Sequence, residues 1–151
     1  MATLEGDKLV AALRGAFMKE PSRALLLQLT ADRIRAAGPP YTSVYLYMVH
    51  GEELVLEAWS GRQTEHTRIP VGQGVCGTAV ATGQDQNVGD VRAIANYLAC
   101  NRFTRSELVV LIRRGAHILG QIDVDSDLPD PFSAAEQAEV KKVADALAVL
   151  L

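Results

Sequence analysis

Apolar residues at Leu9, Val10, Leu13 and Phe17 repeat at the spacing of one helical face, which predicts a helix over 8–18. Pro21 suits the first turn of a second helix running to about residue 37, and Gly38-Pro39-Pro40 ends it. The period then changes. Residues 42–49 are rich in β-formers, 53–59 follow after His50-Gly51-Glu52, and the two segments read as a β-hairpin. A short strand at 68–71 enters a glycine-rich turn at Gly72 and Gly74. Residues 77–82 read as a short helix with Cys76 at its N-terminal edge, and 86–88 as a short strand. Residues 92–105 have weak periodicity and read as loop with one helical turn. Strands at 108–113 and 118–124 are joined by Arg114-Gly115-Ala116-His117. After a turn at 127–130, Ser133 begins the last helix and Glu136 completes an S-x-x-E capping box. Helices, then antiparallel strands interrupted by loops, then a helix: that order is α+β.

Composition narrows the picture. The 151 residues make one domain with a single core: helices over 1–40, sheet and loops over 41–130, a last helix over 133–151. Apolar content of 48% fits a globular chain. A net charge of −3, from 15 basic and 18 acidic residues, gives no electrostatic case for nucleic acid or anionic membranes. No stretch approaches the ~20 apolar residues that span a bilayer. Glu5 and Asp7 stand where a signal peptide has its apolar segment. The expected compartment is the cytoplasm, where structural disulfides are unusual. Two cysteines and three histidines show no ligand spacing, so no metal is expected. The leucines at 25–29 and the apolar end at Leu147, Leu150 and Leu151 permit a homodimer through the terminal helices.

The candidate chemistry lies with the two cysteines and the acids near them. Cys76 sits in Gly74-Val75-Cys76-Gly77-Thr78-Ala79 and Cys100 in Leu98-Ala99-Cys100-Asn101. Glu107 and the run Ile122-Asp123-Val124-Asp125-Ser126 follow. Two thiols that can meet beside several acids suggest thiol–disulfide chemistry on a small polar substrate. A loop position gives Cys100 access, and Arg102 and Arg105 would favour its thiolate while Glu107 opposes them. The helix start at Cys76 would also favour a thiolate. Each cysteine can equally be a small buried hydrophobe, and a bridge needs Cα atoms about 4.4–6.8 Å apart. Asp123 and Asp125 share a strand face. They read either as a solvated strand edge or, with Glu107, as a pocket in which burial and repulsion raise at least one pKa. Trp59 and Tyr97 read as core packing or as an apolar wall for a methyl group. His66 and His117 read as exposed loop or turn residues.

The arrangement resembles the free methionine-R-sulfoxide reductases, enzymes built on a GAF domain. The resemblance runs from about Thr42 to Asp130. It rests on G-x-G-V-C-G-T-A at Gly72–Ala79, Ala99-Cys100, Ser106-Glu107 and D-x-D-S at Asp123–Ser126. It implies a central antiparallel sheet with N- and C-terminal helices on one face and loops and short helices over a pocket on the other. It implies that Cys100 attacks the substrate, that Cys76 resolves the intermediate, and that Glu107, Asp123 and Asp125 bind substrate. The implied partners are free methionine R-sulfoxide and thioredoxin or a similar dithiol, with no cofactor. The chain departs from the family's pattern at His66, where many members have a third cysteine, at Asn101 for Asp, near Leu111 for Pro, and at Tyr97-Leu98 for His-Ile. The alternative function is a GAF module that binds a small ligand or signals without turnover.

Overall fold

The computed structural model describes residues 2–99 and 102–151. Its helices are α1 (Gly6–Lys19), α2 (Arg23–Ala36), α3 (Gly74–Thr82) and α4 (Ala134–Leu150). Its strands are β1 (Ser43–His50), β2 (Glu53–Ser60), β3 (Arg68–Pro70), β4 (Gln86–Val88), β5 (Ser106–Arg114) and β6 (His117–Ser126). The strands form one antiparallel sheet in the order β3-β2-β1-β6-β5-β4, with β1 and β6 at its centre. The α+β expectation holds; α1, β1, β2, β5 and β6 run a residue or two beyond their expected ends, α3 begins three residues early, and α2, β3 and α4 fall short of theirs. The helical turn expected within 92–105 is a 3-10 turn at Val91–Ala93.

Local chemistry explains the boundaries. Pro21 lies outside α2: Ser22 is the N-cap, its Oγ accepting the N–H of Leu25 at 3.2 Å. Helix α3 ends at Gly83, in the left-handed conformation that favours glycine (φ 68°). The capping box of α4 is half formed. Ser133 Oγ accepts the N–H of Glu136, but the Glu136 carboxylate does not return to the cap. It accepts from Tyr41 Oη and the Thr3 N–H instead, tying the chain's start and β1's approach to α4.

Strand alternation sends side chains to two separate cores. On one face Val44, Leu46, Met48, Leu108, Val110, Ile112, Ile122 and Val124 pack beneath α1, α2 and α4. On the other, Tyr45, Tyr47, Val109 and Leu111 pack with Val75, Cys76 and Ala79 of α3. The helical face holds the larger apolar cluster: Leu46 is fully buried there, and truncating such a leucine to alanine costs about 2–5 kcal/mol. The opposite face carries the polar groups of interest. No helix among the described residues is long and apolar enough to cross a membrane.

Candidate active site

The site is built on the register of β5 and β6. Glu107 pairs directly with Asp125, and Val109 with Asp123. On the other flank of β6, Tyr45 pairs with Asp123 and Ser43 with Asp125. Asp123 and Asp125, two apart, therefore project to the α3 face, and Glu107 joins them from the neighbouring strand. All three lie in the sheet interior and are at most 5% exposed. The solvated-edge reading is thus excluded, and the alternation Ile122-Asp123-Val124-Asp125 separates two buried environments.

Helix α3 closes over these acids. Its first residues need glycine: Gly74 has φ 65°, and a Cβ there would stand 2.9 Å from Leu98 Cγ. A Cβ on Gly77 would stand 2.6 Å from the Pro70 carbonyl oxygen. This close packing sets Cys76, the third helical residue, against the sheet, with Sγ 3.5 Å from Glu107 Oε2. Gln121 Nε2 donates to the Cys76 carbonyl at 3.4 Å from below. Cys76, Glu107 and Asp123 line one small pocket of about 20 Å³ with Tyr47, His66 and Leu98.

Burial and mutual repulsion govern the electrostatics. Desolvation, then repulsion from Asp123, holds the Glu107 carboxyl well above the usual carboxylate range. Desolvation and the Asp125 charge push Asp123 up to about 7. Asp125 is raised by burial and then by Glu107, with Arg62 offsetting part of the shift. The Arg62 guanidinium itself is committed to Asp127, Nη1 to Oδ1 at 2.6 Å. Among the described residues Asp123 Oδ1 and Asp125 Oδ2 are buried without a hydrogen-bond partner, while the Asp123 carboxyl shares side-chain hydrogen bonds with Glu107 and Cys76. The Cys76 thiol is likewise pushed up, by burial and then by Asp123 and Glu107. The helix start expected to favour its thiolate is present, but desolvation and the two carboxyls outweigh it.

The other expected site residues fall at different distances from this pocket. Cys100 and Asn101 lie outside the described residues. Tyr97 is half-buried against the α3-side core. Trp59 pairs with Tyr45 in β2, so it projects to the pocket side of the sheet, and it is 41% exposed. Sequence reasoning missed His66. It lines the pocket, and its Nε2 lies 3.1 Å from the Ala99 carbonyl oxygen. The signal for it was its place where many members of the resembled family carry a cysteine. Leu111, standing near the family's proline, donates its N–H to Asp85 Oδ1 at 2.8 Å, a bond proline cannot make. Spacing along the chain also hid a potential ligand set: one ligand atom each from Cys76, Glu107 and Asp123 lie within 4.8 Å of one another.

A curled antiparallel sheet with helices on one face and an acid-and-thiol pocket under a short helix on the other defines the class, and the chain belongs to the GAF domain family, which matches residues 22–151. Its likeness runs to free methionine-R-sulfoxide reductases. The Escherichia coli (strain K12) protein of that name is 34% identical over 97 residues, 64% of this chain and 58% of that one. The solved type II free methionine-R-sulfoxide reductase from Thermoplasma acidophilum is 32% identical, with a TM-score of 0.79 over 94% of each chain. The free methionine-R-sulfoxide reductase from Neisseria meningitidis, solved in complex with its substrate, is 30% identical with a TM-score of 0.87, over 96% of this chain and 87% of that one. The chain spans about half the length of the Bacillus subtilis protein YtsP and 58% of the Escherichia coli reductase.

Proposed function

We propose that the protein reduces free L-methionine (R)-S-oxide to methionine through a thiol, sulfenic acid and disulfide cycle. The observation that carries this reading is a pocket walled by a thiol and buried carboxyls, Cys76, Glu107 and Asp123, with no lysine or arginine among the described residues lining it. A zwitterionic sulfoxide supplies what such a pocket needs. Its ammonium group offsets the acids, and its oxygen needs a proton as it leaves sulfur. The reductases similar to this chain support this choice of substrate.

The Cys100 thiolate attacks the sulfoxide sulfur, and a carboxyl of Glu107, Asp123 or Asp125 protonates the oxygen. Transfer of that oxygen leaves Cys100 as a sulfenic acid and releases methionine. The Cys76 thiol then displaces water from the sulfenic acid to form the Cys76–Cys100 disulfide. Thioredoxin or a similar dithiol restores both thiols by exchange and is itself oxidised. Trp59 and Tyr97 form the apolar wall for the substrate methyl group. Such a cycle suits a compartment that keeps dithiols reduced, and the cytoplasm is the one proposed.

The test is consumption of each sulfoxide epimer by purified protein with a dithiol present. The R epimer should disappear and the S epimer persist. Binding of the R epimer without consumption would instead mark a ligand-binding GAF module, and equal consumption of both epimers would overturn the stereochemical assignment.

A further inference from the structure

Arg62 is fixed beside the acids through both its backbone and its side chain. Gly61 lets the loop after β2 press onto β1: its φ is 116°, and a Cβ there would stand 2.8 Å from Ser43 Cα. The Arg62 N–H donates to Ser43 Oγ at 2.9 Å, and its carbonyl accepts from Tyr45 Oη at 2.6 Å. Ser43 is the β1 residue paired with Asp125, so the loop is pinned at that acid. The guanidinium takes both carboxylate oxygens of Asp127, two residues on from Asp125, with Nη1 to Oδ1 at 2.6 Å. Its Cζ lies 5.3 Å from the centre of the Phe103 ring.

Asp125 has few such holds. It is 3% exposed, and its Oδ2 meets no donor among the described residues. Acidic groups surround it: Glu107 across from β5, Asp123 on the same face of β6, Asp127 just past the strand, and the Cys76 thiol from α3. Arg62 is the cation that opposes them. A guanidinium free to turn would close on such a carboxylate as a bidentate pair and cover it. Asp127 occupies that fork instead.

We propose that Arg62 and Asp127 are a positioning pair for the ammonium site: Asp127 holds the guanidinium beside Asp125 but off it, so Asp125 ionises more readily and keeps an oxygen open for the substrate's ammonium group. The substrate in this proposal rests on the reductase reading; the electrostatics do not. The two partners of one ion pair therefore fail in opposite ways. Without Arg62, Asp125 holds its proton more tightly. Without Asp127, Arg62 closes onto Asp125 and competes with the ammonium.

Carbon-13 NMR titration of the side-chain carboxyls in aspartate-labelled protein reads Asp125 without turnover. Arg62→Gln should raise the Asp125 midpoint by about one pH unit, the low end of what a neighbouring opposite charge does, and Arg62→Lys should restore most of it. In kinetics, Asp127→Asn should raise KM for free methionine sulfoxide about tenfold, the equivalent of one pH unit in the carboxyl's equilibrium, with kcat little changed. The double variant Asp127→Asn/Arg62→Gln should bind substrate better than Asp127→Asn alone, a reversal that simple loosening of the loop does not give. A midpoint that Arg62→Gln leaves in place, or that Arg62→Lys fails to restore, would overturn the charge role. A double variant no better than Asp127→Asn would overturn the tether. A protein that bound the sulfoxide without reducing it would still show these midpoints, so the reductase reading can fail separately.

Discussion

Glu107 and Asp125 face each other directly across the β5–β6 pair, both buried. Opposed like charges destabilise a sheet, burial raises that cost, and Arg62 offsets only part of it at Asp125. The pair persists because protons, or a cationic ligand, take up the charge. A free amino acid carries such a cation and an N-acetylated one does not. Comparing kcat/KM for free and N-acetylated methionine sulfoxide should show strong preference for the free form, and Asp125→Asn should shrink it. Equal rates for both substrates would place the ammonium elsewhere.

Asp123 gives a pH signature. Its folded value of about 7 lies above the ordinary 3.8. At pH below the ordinary value the carboxyl is protonated in both states, and its contribution to stability is complete. As pH rises toward 7 the unfolded chain has already released the proton that the folded chain retains, so stability falls and the contribution is lost through about pH 7. Glu107, Asp125 and Cys76 press in the same direction, and Arg62 acts on Asp125 against it. Urea unfolding on either side of neutrality should show the wild type losing stability with pH and Asp123→Asn losing markedly less. Parallel slopes would mean that Asp123 titrates normally.

The two cysteines should separate kinetically. Cys100→Ser should abolish methionine formation, since no sulfenic acid can form. Cys76→Ser should release about one methionine per chain and then stall with thioredoxin. Rapid-quench counting of methionine checks both, and normal turnover by Cys100→Ser would reverse the assignment of the nucleophile.

Gly74→Ala tests the link between α3 and the segment leading to Cys100. The substitution places a Cβ 2.9 Å from Leu98 Cγ at a backbone with φ 65°. A left-handed alanine costs about 1–2 kcal/mol, so the fold should survive while Leu98 shifts. Circular dichroism should change little, melting temperature should fall modestly, and kcat should fall more than the stability loss explains. Wild-type kcat would show that this contact does not position the site.

Most of the fold is legible in local pattern, because helical spacing, glycine turns and strand alternation are written in adjacent residues. The boundaries of α2 and the second half of the α4 capping box were missed. Glu136 found Tyr41 and Thr3, partners far away in sequence, and these outcompeted the local bond. The acids were legible as a shared face at Asp123 and Asp125, but only the pairing of β5 with β6 makes that face interior and brings Glu107 opposite. His66 looked like an exposed loop residue because nothing nearby in sequence reveals that Ala99 comes back to meet it. The direction in which the Cys76 thiol shifts was also hidden, since it depends on how deeply α3 seats against the carboxyls.

The period of two along β6 acts as a proofreading device. A slip of β6 by a single residue against its neighbours would turn Asp123 and Asp125 into the oily layer beneath α1, α2 and α4, and lift Ile122 and Val124 into the pocket. The misthreaded chain would lose its reactive groups and its packing together. The residues proposed for chemistry therefore also police its folding, because a slip that takes them out of the pocket also buries charge in the apolar core.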